Sequence, residues 1–228
     1  MRAIGFSTGA LAAGQFERAL DLLRGRVDAI ELSALRFEEL QPLVERLSAL
    51  DLRGFRFVSF HAPSRFPREA EDWVLQKLVE VAERGLPIIV HPDAPFDVAK
   101  WRQLGRWLTI ENMDLRKTTG RFVAELRSIF SQLPEAKLCL DLAHSRQTDP
   151  TMTECFRILH EFRDRLAELH VSEVDARGRH APLSLASTLA YRQIARHLPA
   201  EVAVILESPV EGAQIEAEVD EARKALAA

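Results

Sequence analysis

Short apolar runs rich in strand-forming residues recur along the chain, and six of them stop on a carboxylate or an imidazole. FRFVSFH ends at His61, LPIIVH at His91, WLTIE at Glu111, LCLD at Asp141, AELH at His170 and VAVILE at Glu207. IGFS at 4–7 and AIEL at 29–32 add two more strands. Between these runs the apolar period changes to that of helices. Phe16, Ala19, Leu20 and Leu23 share one face of a helix over 15–24, and Leu40, Leu43, Val44 and Leu47 mark a second. Val74, Leu78, Val79 and Ala82 mark a third, which Gly85 and Pro87 stop as a glycine cap with a proline beyond. Phe122, Leu126, Ile129 and Phe130 define another, as do Phe156, Leu159 and Phe162. A short helical piece falls near 98–104, and two further helices near 185–197 and 215–227. Gly9 with Gly14, APSRFPRE after His61, NMDLRKTTG after Glu111 and SEVDARGRHAP after His170 read as loops.

Eight strand-then-helix units imply parallel strands joined by right-handed crossovers. That pattern predicts a closed (β/α)8 TIM barrel forming one domain over 1–228, with a doubly wound open sheet as the alternative. Alternation gives an internal check. If Glu111, Asp141 and Glu207 point into the barrel, then Thr109, Cys139 and Ile205 lie one layer down on the same face. Ile110, Leu140 and Leu206 must then face the helices.

A hydrophobic fraction of 47% with 28% charged residues fits a globular fold rather than a disordered or fibrous chain. No apolar run reaches the roughly 18 residues of a membrane span. The N-terminal MRAIGFSTGA enters a strand directly and lacks the pattern of a secretory signal, so a cytoplasmic protein is expected. The two cysteines, Cys139 and Cys155, are too few for a disulfide framework, and Cys139 is expected to be a buried, inert thiol. A formal charge of −4 argues against a surface built for duplex phosphates, though not against a local basic patch.

In a barrel, the carboxyl ends of the strands converge on one mouth. His61, His91, Glu111, Asp141, His170 and Glu207 would meet there, with His144 and His180 arriving from the loops beyond their strands. Charged or imidazole groups at the ends of buried strands cost desolvation energy unless they are paired or hold a metal. Imidazoles and carboxylates without thiolates suit a divalent Zn, Mn, Co or Fe centre of one or two ions, which Glu111 could bridge. His160 and His197 sit in helical segments and read as ordinary surface residues. Glu31 lies near a strand end, where an ion pair and a substrate contact are equally open. Arg116, Lys117, Arg177 and Arg179 are loop cations; Arg177 and Arg179 are the candidate contacts to an anionic substrate.

These residues resemble the xylose isomerase-like TIM barrel superfamily, which includes sugar isomerases, epimerases and endonuclease IV. The motifs are IEN at Glu111, DxxH at Asp141 and His144, HVSE at His170 and ILES at Glu207. In the epimerase branch the resemblance implies one divalent ion held by Glu111, Asp141, His170 and Glu207, with Glu111 and Glu207 moving the substrate proton through a stabilised enediolate. In the endonuclease IV branch it implies His61 and His91 as additional ligands, and His144 and His180 toward a third metal. Here the sequence departs from that branch, because Gly178 stands where the Asp-x-His pair has its aspartate. A third metal would need Glu173 or Asp175 instead. Three expectations follow. The first is a metal-dependent isomerase or epimerase of a sugar or sugar phosphate. The second is an endonuclease IV-like phosphoester hydrolase, with nucleic acid as the less favoured partner. The third is a barrel that keeps a metal without catalysing anything.

Overall fold

The computed structural model describes residues 2–175 and 177–227. Its centre is a closed barrel of eight parallel strands: β1 (Ile4–Ser7), β2 (Ala29–Ser33), β3 (Phe57–His61), β4 (Ile88–Val90), β5 (Leu108–Glu111), β6 (Lys137–Asp141), β7 (Leu166–Val171) and β10 (Ala203–Leu206). Each strand pairs with its sequence neighbour in the barrel, and β10 closes against β1. The open-sheet alternative is thereby excluded. The main helices are α2 (Phe16–Leu23), α3 (Phe37–Arg46), α4 (Glu71–Ala82), α6 (Val123–Gln132), α8 (Thr153–Phe162), α9 (Leu185–Ala195) and α10 (Ile215–Ala225). No helix among the described residues is long and apolar enough to cross a membrane.

The core lies between strands and helices. Ile110, Leu140 and Leu206 belong to one apolar cluster with helix residues such as Leu40, Leu78, Leu126 and Val219. Each such side chain contributes roughly 1.5–3 kcal/mol by burial. Thr109, Cys139 and Ile205 are buried inside the barrel, as alternation requires. The floor of the barrel is a separate small cluster of Ala3, Ala29 and Ile205, with Phe57 packed against it. Register sets the height of the mouth residues: His61 pairs with Ser33 and Ile89, and His170 pairs with Asp141 and Ile205.

Three connections differ from the sequence reading. The segment carrying Gly9 is a short helix, α1 (Thr8–Ala12), rather than a loop. A Cβ at Gly9 would lie 2.7 Å from the Leu35 side chain, so this glycine permits close packing and does not break the chain. Directly after β6 the chain forms α7 (Leu142–Thr148), because the Asp141 side chain accepts the backbone N–H of His144 and caps the helix. His144 therefore sits on a helix. Beyond β7 the polar segment is a small antiparallel hairpin, β8 (Glu173–Val174) with β9 (His180–Ala181). Near Val98 the short helix, α5 (Val98–Trp101), continues as a 3-10 segment over Arg102–Trp107.

Candidate metal centre

Glu111 is the hub of the mouth. It is 1% exposed, and its two oxygens face different sets of donors. His61 Nε2 and His91 Nε2 each lie 3.3 Å from Oε2. On the other side, His144 Nδ1 is 3.1 Å and His170 Nδ1 3.6 Å from Oε1. Asp141 and Glu207 complete that second side: His144 Nδ1 is 3.5 Å from Asp141 Oδ2, and His170 Nδ1 is 3.6 Å from Glu207 Oε1. Two compact donor groups result, His61 with His91 and Glu111, and Glu111 with Asp141, His170 and Glu207.

The local sequence explains the aim of each group. In IEN, the Asn112 side chain accepts the Asp141 backbone N–H at 2.7 Å and donates to the Asp141 carbonyl oxygen at 3.0 Å, which locks β5 to β6 at the height of the two acids. In DxxH, one carboxylate oxygen of Asp141 is used by the helix cap and Oδ2 is left for the mouth. His61 Nδ1 donates to the Ala62 carbonyl oxygen at 2.7 Å, which fixes the tautomer that offers Nε2 to the centre.

The donor set fits a divalent ion. Glu111 Oε1, Asp141 Oδ2, Glu207 Oε2 and His170 Nδ1 are buried without an aligned hydrogen bond, and they converge from four strands. Buried orphan acceptors of this kind are otherwise costly. Imidazole nitrogens and carboxylates, with no thiolate among them, match Zn, Mn, Co or Fe.

Charge follows the same geometry. Burial opposes ionisation of Glu111, but the imidazoles of His144 and His170 facing its Oε1, with the charge of His170, hold it well below the usual carboxylate range. Burial would lower His61 and His144; facing carboxylates outweigh it, Glu31 and Glu111 for His61 and Asp141 and Glu111 for His144. They are carried up to about 9 and about 10 respectively. Asp141 is pushed up to about 6 by burial, against the pull of His144. Burial also opposes ionisation of Glu207, yet His170 and His180 bring it down. His91 is lowered chiefly by burial.

A cavity of about 350 Å³ opens onto this centre and is lined by His61, His91, Glu111, His144, His180 and Glu207. Arg116 and Lys117 also line it, held by Asp114 and Asp93 respectively. Arg177 and Arg179 do not. The Arg177 backbone and the Arg179 side chain bind Asp175 within their own turn, and Arg179 is 70% exposed. The Arg179 guanidinium is thus tied up locally, Arg177 is held to the same turn by its backbone, and Arg116 lines the cavity instead. Gly178 makes this possible, since a Cβ there would lie 2.2 Å from the Arg116 guanidinium. Neither replacement for the missing aspartate is free: Glu173 is engaged by Arg146 and Ser184, and Asp175 by Arg179. His180 remains near the mouth, its Nδ1 2.8 Å from the Ser172 hydroxyl and 3.6 Å from Glu207.

His160 and His197 lie away from the centre and flank the exposed ring of Phe156. Cys139 is buried beneath His170, and its thiol is raised well above its ordinary value by burial. Sequence reasoning missed Glu168. AELH carries it two residues before His170, so alternation places it on the same inward face, and it is fully buried beside Glu31 and His170.

No protein-family profile and no curated sequence matches the chain. Among solved structures, 3-keto-D-glucoside 4-epimerase from E. coli is similar at a TM-score of 0.61 and 15% identity, with 99% of each chain covered. Endonuclease IV from Thermus thermophilus is similar at a TM-score of 0.58 and 18% identity, covering 96% of this chain and 99% of its own. A xylose isomerase domain protein from Planctomyces limnophilus gives 0.59 at 14% identity, covering 99% and 96%. These likenesses show the fold, a (β/α)8 TIM barrel, which proteins with different chemistries share.

Proposed function

We propose that the chain is a divalent-metal-dependent hydrolase of small phosphate esters, with sugar phosphates as the substrate class. The division of Glu111 between two donor groups carries this reading: Oε2 faces His61 and His91, while Oε1 faces the side of Asp141, His170 and Glu207. A carboxylate held in this way suits a bridge between two ions. Two divalent ions there would neutralise the phosphate and lower the pKa of the attacking water. The remaining work falls to the chain. Arg116 and Lys117 at the rim set the phosphate end of the substrate, and the cavity takes one small organic group. Glu207 orients the water toward phosphorus and accepts its proton, which passes to His180, 3.6 Å away. His180, 30% exposed, returns a proton to the departing alcohol as the P–O bond breaks.

A second reading, sugar isomerisation or epimerisation, is supported by the completeness of the set Glu111, Asp141, His170 and Glu207 for a single ion. Glu111 and Glu207 would then exchange the substrate proton. Against it, both oxygens of Glu111 are faced by imidazoles, His61 and His91 on one side and His144 and His170 on the other, which leaves neither directed at a substrate proton.

Metal content of protein purified without chelators separates the two. About two ions per chain, falling to about one in His61→Ala or His91→Ala, is expected, together with phosphate release from sugar phosphates. An unchanged single ion in both variants, with solvent-deuterium exchange into a free sugar, would put the isomerase first. Bound metal with neither phosphate release nor solvent exchange, and a Glu111→Gln variant that chiefly loses stability, would reject both enzymes in favour of a non-catalytic metal barrel.

A further inference from the structure

Beneath the mouth lies a layer that the proposed chemistry does not use. Glu31 on β2 and Glu168 on β7 are both 0% exposed, in a position where barrels are ordinarily filled by branched aliphatic side chains. Each has one oxygen anchored by a serine. The Ser33 hydroxyl donates to Glu31 Oε1 at 3.0 Å, and the Ser59 hydroxyl donates to Glu168 Oε1 at 2.9 Å. Ser7 supports Ser33 through a 2.7 Å contact between hydroxyls. The other oxygens, Glu31 Oε2 and Glu168 Oε2, have no aligned hydrogen bond.

Both carboxylates lie against the underside of His170, Glu31 through its free Oε2 and Glu168 through the Oε1 that Ser59 also bonds. Its Nε2 is 3.1 Å from Glu31 Oε2 and 3.5 Å from Glu168 Oε1. Its Nδ1, on the opposite edge of the ring, faces Glu111 and Glu207 at 3.6 Å. The imidazole therefore stands between two acidic layers. Only the upper one opens to the cavity: Glu111 and Glu207 line it, and Glu31 and Glu168 do not.

We propose that Glu31 is a positioning residue, whose carboxylate accepts a hydrogen bond from the Nε2–H of His170 and so presents the Nδ1 lone pair to the metal centre. The inference rests on His170 being a ligand, as the proposed function requires. A ligating histidine needs one bare nitrogen, and an acceptor on its other nitrogen selects the tautomer and holds the ring plane. Glu31 is suited to this because Ser33 fixes one of its oxygens and directs the other at the ring. Glu168 is secondary, since the oxygen nearer to Nε2 is the one already bonded to Ser59.

The test uses the full chain with zinc as the probe, in Glu31→Leu, Glu31→Gln, Glu168→Gln and Asp141→Asn. Zinc affinity is read by competition with a chromophoric chelator, and the His170 tautomer by nitrogen-15 NMR of the imidazole. Glu31→Leu is expected to weaken zinc binding by roughly 10–100-fold. Glu31→Gln, which keeps an acceptor and the side-chain shape, should lose less and carries the test if leucine prevents folding. Glu168→Gln should fall below both in effect. Wild-type zinc-loaded protein should show His170 protonated at Nε2, with the proton distribution altered in the Glu31 variants. Wild-type affinity in folded Glu31→Leu, or an unchanged tautomer in both Glu31 variants, overturns the proposal. So does a metal ion found bonded to Nε2 by anomalous scattering. Asp141→Asn isolates the premise: if it binds zinc like wild type, the metal centre itself is misassigned. If it loses zinc while the Glu31 variants do not, only the positioning role falls.

Discussion

The two ends of the barrel interior are built on opposite principles. Lower in the interior, Ala3, Ala29 and Phe57 at the amino ends of β1, β2 and β3 pack with Ile205, one layer below Glu207, by contact alone. At the carboxyl ends, Glu111, Asp141, His144, His170 and Glu207 are equally shielded from water, yet the acids and imidazoles hold one another in place. A layer that is stable by packing answers to volume. A layer of facing charges answers to protons and to metal. Substitutions at the floor should therefore move stability and leave metal content alone, whereas those at the mouth should depend on what is bound.

The sharpest break of the floor is Gly5→Ala. Gly5 pairs with both Ala29 and Ile205, and a Cβ at this position would lie 1.6 Å from the Ala29 carbonyl oxygen. A backbone atom cannot move aside as a flexible side chain can, so β1 and β2 would have to separate. The expected cost exceeds about 4 kcal/mol, enough to abolish a cooperative thermal transition. A melting curve close to wild type would show that the floor yields more readily than its geometry implies.

The corresponding break of the mouth is Glu111→Gln. It removes the charge that both donor groups share, so metal content should fall to near zero and turnover with it. Folding should persist, because the helix-facing core is untouched. Elemental analysis alongside circular dichroism checks both halves. Loss of the fold together with the metal would mean that the mouth supports the barrel as the floor does.

Ile205→Ala returns to the floor at smaller scale. Ile205 is fully buried one layer below Glu207, and its truncation should cost about 2–5 kcal/mol through lost burial and a cavity. Metal bound per folded chain should stay at the wild-type level. A change in stoichiometry would show that the two layers are mechanically coupled.

The contrast between the layers also explains what could be read in the sequence. The barrel was legible because alternation and helical period are properties of neighbours in sequence, and Ile110, Leu140 and Leu206 obey them. The convergence of acids and imidazoles on the mouth was legible because His61, His91, Glu111, Asp141, His170 and Glu207 each lie at or directly beyond the end of a different strand. Less could be seen where a residue's role depends on what crosses the barrel. Glu31 showed itself as an acid near a strand end, but its partner His170 is five strands further along the chain. Glu168 followed the alternation rule and was overshadowed by His170 two residues later. Arg116 and Arg179 look alike in sequence; only the close approach over Gly178, and the turn that ties Arg179 to Asp175, separates them.

The pH dependence also distinguishes the two ends. His61 and His144 are raised to about 9 and about 10 in the folded metal-free protein, from 6.5 in an unperturbed imidazole. For groups raised on folding, the associated stability is fully present below about 6.5 and is lost as pH climbs through the folded values. Each such group erodes about 1.4 kcal/mol per pH unit within that window, an order of magnitude for so tightly coupled a cluster. Metal reverses the sign, because a nitrogen must shed its proton to become a ligand, and apparent affinity should rise by about tenfold per pH unit for each proton displaced. Thermal melts of metal-free and zinc-loaded protein between about pH 6.5 and 9 should therefore diverge, the first falling and the second holding or rising. Ile205→Ala should shift both curves downward together, since the floor carries no titrating group. Parallel curves for the two forms of wild type would mean that metal displaces no protons at the mouth, and would remove the distinction between the two ends.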